Sequence, residues 1–422
     1  MSWGGATVGD LIDAGFAEVK TGPFGTQLKA SDYVKTGTPV INVRNIGFGH
    51  VREEKLEFIS EETTQRLSSH LLREKDIVFG RKGAVERHAF IRDKQSRWLQ
   101  GSDCLRLRIV SEKHVLARYL SYAFLTSRHQ AWMIQHCSHG ATMASLNQDI
   151  IRRIPLDLPS LDAQRRIVMI LSAYDDLIQN NMRRIEILEG MARRLYEQWF
   201  VQFRFPGHES AKFKGSELGL IPEGWDFVPL GDIYRTGSGG TPSRKNPEFF
   251  GGDYRWVKTK ELQDCPVFDT EERISEKGLQ KSSAKLFPRN TVLIAMYGAT
   301  IGRLGVLQEE SATNQACCAI LPNIQGCGWG YAYLSLFFRR QALIDLRAGA
   351  AQQNISQDVV KKFKLLRASN ELHEKFEKVV TPFLTLSFTL YRKNANLRAQ
   401  RDLLLPKLIS GEIDVSDIPM PT

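Results

Sequence analysis

The chain repeats itself at an offset of about half its own length. "GATMASLNQDIIRRI" begins at Gly140, and "GAAQQNISQDVVKKF" begins at Gly349, which is 209 residues further on. At this offset the Gly-Ala pairs coincide, and so do the Gln-Asp pairs at Gln148 and Gln357. A chain of 422 residues is expected to hold about two to four domains. The repeat predicts that two of them are copies of one plan.

Two further motifs occur in both halves. "DIVFGRKGAVE" from Asp76 aligns with "TVLIAMYGATI" from Thr291, and "TGPFGT" at Thr21 resembles "TGSGGT" at Thr236. Around them, short apolar runs separated by Gly, Pro, Asn and Asp predict strands and turns with a few helices. We therefore predict globular domains over residues 1–155 and 207–368, a helical region over 156–206, and a second helical region with a tail over 369–422.

Both helical regions show an apolar repeat of about 3.5 residues, the pattern of helices that pack along their length. The first has a Ser N-cap at Ser160, and its copy begins 209 residues later. We predict that the two helices pack antiparallel, since each has to leave one domain and end near the other. The alternative is that each helix merely caps its own domain. The predicted helix–helix seam is Ile167, Ile170, Tyr174, Leu177, Leu188 and Leu195 with Phe376, Val379, Phe383, Leu386, Leu397 and Leu404.

Pro382 lies within the second predicted helix. Proline removes a backbone hydrogen bond and collides with the preceding turn. We therefore expect a kink or a late helix start at this position.

Charge and cysteine content narrow the functional class. The formal net charge is +10 and the pI is about 9.2, which favours a polyanionic partner such as nucleic acid. The six cysteines form no CxxC pair, so neither a zinc ribbon nor a disulfide framework is indicated. The sequence shows no secretory signal and no apolar run of about 18 residues. These features predict a cytoplasmic protein.

No pattern of catalytic residues stands out. The sequence contains no Gly-Lys dipeptide, which excludes a Walker A phosphate loop. "NPEFF" at Asn246 lacks the second proline of the motif with which amino-methyltransferases hold a flipped adenine. We therefore predict neither a catalytic site nor a metal site, and we expect no methyltransferase, nuclease or ATPase activity from the chain alone.

The motifs together resemble one family over nearly the full length of the chain. Both halves open on its pattern, here "GDLIDAGFAEVKTGPFGT" and "LGDIYRTGSGGTPSRKNPEFF", and "LRAQRDLLLPKLISGEIDV" follows near the end. The chain resembles the specificity (S) subunit of Type I restriction-modification enzymes. The resemblance implies an α+β fold in which two mixed α/β target-recognition domains, related by a pseudo-twofold internal repeat, are joined by two long antiparallel helices that form a coiled-coil spacer.

The same resemblance implies a function and a set of partners. Such subunits are non-catalytic readers of double-stranded DNA with a bipartite, asymmetric target. They carry two methyltransferase subunits and restriction subunits, which are the components expected to use S-adenosylmethionine, ATP and magnesium; the chain itself needs no cofactor. The alternative from another functional class is a protein scaffold whose duplicated domains clamp a symmetric partner without DNA.

Candidate DNA contacts follow from the chemistry of DNA reading. Phosphates are contacted by Lys, Arg and Thr, and base edges in the major groove are read by Arg, Asn, Gln or Lys. Residues of these types on predicted loops and strand ends, with one aligned tyrosine, are the candidates, although any one of them could be an ordinary solvated side chain. They are Thr21, Thr26, Arg44, Arg81 and Lys82 in the first domain, and Thr241, Ser243, Arg244, Lys245, Lys258, Lys260, Tyr297 and Arg303 in the second.

Overall fold

The chain forms two compact units, and each contains parts of both helical regions. The computed structural model describes residues 4–140, 143–217, 219–322, 326–346 and 354–419. Unit 1 consists of Met1–Leu177 with Leu397–Thr422, and unit 2 consists of Ile178–Asn396. Seven residues of the two motif copies, 141–142 and 349–353, lie outside the described residues.

Unit 1 is built on two four-stranded sheets. One has the strand order Ala17–Thr21, Cys104–Ile109, Ile77–Gly80, His88–Phe90, and the other has the order Tyr33–Val34, Glu57–Ile59, Thr38–Ile41, Leu99–Gln100. Two-stranded pairs join Gly4–Thr7 to Pro155–Leu158 and Ser138–Gly140 to Met143–Ser145. The short α-helices are Val8–Asp13, Glu61–Arg66, Ala117–Ala123, Ser127–His136 and Gln148–Arg152.

Unit 2 repeats this plan with an added strand. Its five-stranded sheet has the order Thr236–Ser238, Cys317–Ile320, Val292–Ala295, Leu304–Leu307, Cys265–Val267, and its four-stranded sheet has the order Arg273–Ile274, Phe250–Val257, Ser311–Thr313, Leu286–Phe287. Two-stranded pairs join Phe213–Ser216 to Gly219–Pro222 and Asp226–Pro229 to Lys364–Arg367. The short α-helices are Leu230–Ile233, Glu276–Gln280, Trp329–Phe338, Arg340–Asp345 and Gln357–Lys362.

The strand pairing shows that the repeat is structural as well as sequential. The strand that ends at Ile41 pairs in parallel with Leu99–Gln100 in unit 1, and the strand that ends at Val257 pairs in parallel with Ser311–Thr313 in unit 2. The central strands Ile77–Gly80 and Val292–Ala295 are buried along their whole length. Both units therefore share a β framework in which apolar runs, rather than alternating patterns, form the central strands.

Two long helices complete the fold. The first covers Leu161–Tyr196 and continues into a π-helical turn at Glu197–Val201, and the second covers Asn370–Ser410. The hydroxyl oxygens of Ser160 and Ser369 accept hydrogen bonds from backbone N–H groups three residues on, at 3.3 Å in both copies. The predicted α+β class and the pair of packed long helices are confirmed. None of the described helices combines the length and the apolar character needed to cross a bilayer.

Contacts inside each unit show that the helices run antiparallel. In unit 1, Arg401 Nη1 donates to Asp175 Oδ1 at 2.7 Å. In unit 2, the first helix meets the second through the pair Asn181 and Asn394 and, further along, through the rings of Tyr196 and Phe376. Residue numbers rise along one helix as they fall along the other, as predicted.

The buried seam keeps the seven-residue register, but its centre lies one residue away from part of the predicted set. Heptad steps from Gln164 give buried positions in the first helix, and the same steps 209 residues later give the seam of the second. The two series are Gln164, Leu171, Ile178, Ile185, Ala192 and Trp199, and His373, Val380, Ser387, Asn394, Arg401 and Leu408, of which Arg401 alone is only partly buried.

The predicted seam residues divide into three groups by burial. Ile167 and Phe376 are fully buried. Those that are partly buried at the edge of the seam are Ile170, Tyr174, Leu188, Leu195, Phe383, Leu397 and Leu404. The prediction was wrong for Leu177, Val379 and Leu386, whose exposures are 46%, 42% and 42%. The reason is that polar residues with internal hydrogen-bond partners occupy part of the true seam.

The second helix begins at Asn370 and continues through Pro382, so the late start expected at this proline is wrong. The helix is continuous from Asn370 to Ser410, and Pro382 lies on its exposed side. The neighbouring seam residues Val380 and Leu384 are buried on the opposite side. Their packing holds the backbone helical across a position that intrinsic propensity disfavours.

Polar pairs in the seam have apolar counterparts in the repeat. Asn181 Nδ2 donates to Asn394 Oδ1 at 2.9 Å, and the residues at the equivalent positions are the buried Leu390 and Ile185. The ion pair of Asp175 with Arg401 likewise corresponds to the buried residues Leu384 and Ala192. The helices thus share one register while their seam chemistry is asymmetric.

The corrected seam predicts different effects for neighbouring leucines. Leu171→Asp should lower the free energy of unfolding by about 3 kcal/mol or more, because it removes a buried side chain and buries a carboxylate. Leu177→Asp is the matched control and should change it by less than about 1 kcal/mol. Chemical denaturation of the two variants measures both effects, and equal losses would contradict the assignment.

The polar pair allows a second test. Asn181→Leu should cost about 1–3 kcal/mol, because it leaves the buried Asn394 amide oxygen without its donor. The double variant Asn181→Leu/Asn394→Ile introduces the two residues found at the equivalent positions and should recover most of this loss. Additive losses in denaturation experiments would show that the two seams are not interchangeable.

Candidate nucleic-acid interface

In each unit a side-chain hydrogen bond joins the threonine-glycine motif, which begins at Thr21 or Thr236, to the motif that contains Gln148 or Gln357. In unit 1, Gln148 Nε2 donates to Thr21 Oγ1 at 2.8 Å. In unit 2, Gln357 Nε2 donates to Thr236 Oγ1 at 3.2 Å, and Ser238 Oγ donates to Gln357 Oε1 at 3.0 Å. The repeated glutamine therefore fixes the repeated threonine loop.

The motif that contains Gly83 in unit 1 and Gly298 in unit 2 is linked by backbone hydrogen bonds to the segment just before the repeated glutamine. The amide of Leu146 donates to the carbonyl of Arg81 at 2.8 Å, and the amide of Ile355 donates to the carbonyl of Met296 at 2.7 Å. The "GA" pairs of this motif have a conformational cause, since Gly83 and Gly298 have φ angles of 79° and 85°. Glycine reaches this left-handed region without the steric cost that other residues meet.

One short segment supports these loops in each unit. In unit 1, residues 101–104 bond to the backbone of Gly22, Ile41 and Arg81, at 2.8–2.9 Å. In unit 2, residues 313–316 bond in a similar way to Gly240, Val257 and Met296, at 2.9–3.0 Å. We define surface 1 as residues 21–27, 42–45, 81–84, 101–104 and 144–148, and surface 2 as residues 236–245, 258–261, 296–299, 313–316 and 354–357.

The predicted residues of the first domain all lie on surface 1. Thr21 is half-buried and holds Gln148, whereas Thr26 is exposed on the following turn. Arg81 is half-buried, and Lys82 is exposed with its Nζ 3.5 Å from Asp103. Arg44 lies on the turn Val43–Asn45, and its Nη2 is 2.5 Å from Glu57 Oε1. Surface 1 therefore presents cations beside hydroxyl groups.

In unit 2, the first predicted group follows the threonine loop. The hydroxyl of Thr241 donates to the side-chain oxygen of Gln315, within surface 2. Ser243, Arg244 and Lys245 are exposed. The Arg244 guanidinium lies 4.3 Å from the centroid of the Phe250 ring, a cation–π arrangement that restrains its orientation.

Two predicted lysines of unit 2, Lys258 and Lys260, pair with acidic residues. Lys258 Nζ donates to Glu272 Oε1 at 2.6 Å, and this hydrogen bond lowers the pKa of the Glu272 carboxyl. The Lys260 ammonium forms an ion pair with Glu271. These cations are held in defined positions by carboxylates.

The last two predicted residues, Tyr297 and Arg303, lie in different places. Tyr297 lies half-buried on surface 2, where desolvation raises the pKa of its phenol. The Arg303 guanidinium pairs with Asp264 at 2.6 Å, and Arg340 also pairs with that carboxylate. Arg303 therefore belongs to an ion-pair cluster outside surface 2. For all of the candidate residues, contact with DNA stays a prediction.

Sequence reasoning missed several residues that shape these surfaces. Gln148 and Gln357 are identical in the repeat and could have been found from that signal. Thr236 and Ser238 are the partners of Gln357. The acidic partners Glu57 and Glu272 also recur, in "EFISEE" and "ERISEK", but the sequence does not show which distant segments they contact.

No group of three or more His, Cys, Asp or Glu side chains in the described ranges is placed to hold a metal ion. The cysteines of both units are free, and Cys104, Cys137, Cys317, Cys318 and Cys327 are buried.

The glutamine contacts predict a difference in loop mobility. Gln357→Ala removes two hydrogen bonds and Gln148→Ala removes one, so we expect faster amide exchange in residues 236–240 than in residues 21–25 relative to wild type. Lys362→Ala, on the same short helix as Gln357, is the control and should leave exchange unchanged. Hydrogen exchange with mass spectrometry tests this, and equal protection in all three variants would contradict it.

Two segments of the chain match one family of known proteins. Residues 8–189 and 222–366 match the Type I restriction modification DNA specificity domain. The chain is 23% identical over 312 residues to the Type I restriction enzyme MjaIX specificity subunit of Methanocaldococcus jannaschii, covering 74% of this chain and 72% of that protein. It is 26% identical over 334 residues to the HindI specificity subunit of Haemophilus influenzae, covering 65% and 72%.

A solved structure shows the same fold. The crystal structure of a Type I restriction-modification S subunit from M. genitalium matches with a TM-score of 0.64 at 14% sequence identity, covering 96% of each chain. The two matches to the specificity domain fall on the two copies of the internal repeat, and together they cover most of the chain. The chain therefore belongs to the Type I restriction modification DNA specificity family.

Proposed function

We propose that the chain reads a bipartite, asymmetric DNA target, with surface 1 reading one half and surface 2 the other. The chain itself is non-catalytic in this proposal. It selects the sequence on which methyltransferase and restriction subunits act, and those partners supply the chemistry that uses S-adenosylmethionine, ATP and magnesium.

One observation carries the proposal: the supporting framework is duplicated while the side chains that it presents are not. Gln148 and Gln357 make equivalent contacts, yet Arg81-Lys82 of surface 1 stands where Met296-Tyr297 stands in surface 2. Shared backbone geometry with different donors and acceptors is what two different base sequences require. A symmetric partner would instead favour identical contact residues.

The charge of the chain supports a polyanionic ligand. The net charge is +10, and cations lie on both surfaces beside hydroxyl and amide groups. Lysine and arginine contacts to phosphate provide affinity, whereas bidentate arginine, asparagine and glutamine contacts provide base selection. Both kinds of side chain are present on each surface.

Exposed apolar side chains on the long helices support the docking of partner subunits. The first helix exposes Leu177, Met182, Ile187 and Met191, and the second exposes Val379, Leu386 and Leu403, with exposures from 38% to 69%. Apolar side chains at such density on an otherwise polar helix favour a protein partner. We propose that the methyltransferase subunits cover this part of the helices.

Selection of bound duplexes from a random DNA pool tests the proposed function. The full chain should select a motif of two separated parts, and its affinity should fall steeply with salt through counterion release. Arg81→Ala/Lys82→Ala should weaken selection in one part only, and Lys258→Ala/Lys260→Ala in the other.

A charge-matched control separates reading from general electrostatics. Arg165→Ala/Lys375→Ala removes two exposed cations from the long helices and should leave both parts of the motif intact. A chain that binds no DNA at low salt, or one that selects no motif, would contradict the proposal and favour the protein-scaffold alternative.

A further inference from the structure

Two acidic residues occupy equivalent positions in the two units. Ile59 and Ile274 are both completely buried strand residues, and each is followed by a serine that caps a short helix. Glu57 and Glu272 each precede the buried isoleucine by two residues. The repeat therefore places one glutamate at the same structural position in each unit.

In unit 1 this glutamate is bonded to two side chains of surface 1. Asn42 Nδ2 donates to Glu57 Oε2 at 2.7 Å, and Arg44 Nη2 lies 2.5 Å from Glu57 Oε1. Both carboxylate oxygens are therefore occupied by residues of the turn that follows the strand Thr38–Ile41.

In unit 2 the equivalent glutamate forms ion pairs with two cations of surface 2. Lys258 Nζ donates to Glu272 Oε1 at 2.6 Å, and Arg244 Nη2 lies 2.6 Å from Glu272 Oε2. Arg244 is further restrained by the rings of Phe250 and Trp256, at 4.3 and 5.5 Å from their centroids. The carboxylate again has one partner on each oxygen.

Asn42 and Lys258 are themselves equivalent residues. Each directly follows the strand that pairs in parallel with its neighbour. The backbone amide of each donates to the side chain three residues on, at 3.1 Å to Asn45 and 2.7 Å to Glu261. The glutamate is therefore linked to the same turn in both units, although the residues of that turn differ.

Pairing with a carboxylate affects which DNA groups a cationic side chain can contact. A carboxylate presents two oxygens to arginine or lysine much as a phosphate does, and both form strong charge-assisted hydrogen bonds. A cation already paired with a carboxylate gains less from a phosphate, because it has to give up that bond first. Arginine has five N–H donors in a fixed fork, so one edge can pair with the carboxylate while another faces a base.

We propose that Glu57 and Glu272 are equivalent specificity-determining residues, which orient the side chains at positions 42, 44, 244 and 258 for base reading and withhold them from indiscriminate phosphate binding. This inference rests on the proposed DNA-reading function. In this inference two acidic residues contribute to the selective binding of a ligand that is itself an anion.

Glutamine variants of the full chain test the inference. Glu57→Gln and Glu272→Gln should each raise the affinity for random-sequence duplex at low salt on the order of five-fold, because Arg44 is released for phosphate contact in unit 1, and Lys258 and Arg244 are released in unit 2. In selection from a random pool, Glu57→Gln should lower the base preference in one part of the motif, and Glu272→Gln in the other.

Matched variants control for the loss of one negative charge. Glu53→Gln and Glu248→Gln remove carboxylates that pair with Lys94 and Lys277 on the same two units. They should leave the selected motif unchanged and raise random-duplex affinity by less than two-fold. If each test variant matched its control in both measurements, the inference would be overturned.

Variants that also remove the paired cations identify the released side chains. In the double variant Glu57→Gln/Arg44→Gln and the triple variant Glu272→Gln/Lys258→Gln/Arg244→Gln, the gain in random-duplex affinity should disappear, since every cation that the carboxylate held is absent. A gain that persists would overturn the inference. Thermal unfolding of every variant separates these effects from misfolding.

The same measurements distinguish a failure of the inference about Glu57 and Glu272 from a failure of the proposed function. If the wild-type chain selects a two-part motif and the glutamine variants keep it unchanged, only the role of Glu57 and Glu272 is wrong. If the wild-type chain binds no DNA and selects no motif, the proposed function and this inference fail together.

Discussion

The seven-residue register shared by the two long helices is the constraint on which the rest of the structure depends. It places Gln164 and His373 at the same seam position near the start of each helix, and both are fully buried. Gln164 accepts from the amide of Leu116 and donates to the carbonyl of Pro159, whereas His373 Nε2 accepts from the amide of Ala368. In each unit the seam thus also anchors the globular part from which the helix leaves.

The polar groups in the seam add a further requirement to the register. Asp175 is bonded to Arg401, Arg118 and Tyr122, so its buried charge is satisfied by three donors in unit 1. A slip of one heptad would separate these groups from their partners, and a buried charge or amide without a partner is costly. Apolar burial favours close packing of the helices, while the polar pairs discriminate between registers.

Much of the fold could be predicted from the sequence because the relevant signals are local. The serine caps, the helix lengths and the seven-residue period are all encoded within a few turns. The phase of the seam was harder to predict, since Leu177 and Ile178 are adjacent apolar residues and only one is buried. Buried Gln164, Asn181 and His373 look like surface residues in the sequence. The burial of Gln164 and Asn181 is compensated by partners that are distant along the chain, whereas His373 is bonded to the nearby Ala368.

The candidate surfaces also combine features that could be predicted from the sequence with features that could not. Loops that carry Thr21, Arg81 or Lys258 were predictable from the repeat and from residue chemistry. The acidic partners of Arg44 and Lys258 were not predictable, because Glu57 and Glu272 come close to them only through strand pairing, which a single sequence does not reveal. Residues that hold a site in place are harder to recognise than residues that form it, since their chemistry is ordinary and their position is decisive.

The central claim is that one chain carries two different DNA-reading surfaces. Sequencing of methylated bases in the genome of the organism that carries it, compared with a strain in which its gene is deleted, tests this most directly. The account predicts that deletion removes methylation from one motif with two unlike parts separated by unread base pairs. A palindromic or uninterrupted motif, or methylation that does not change on deletion, would contradict it.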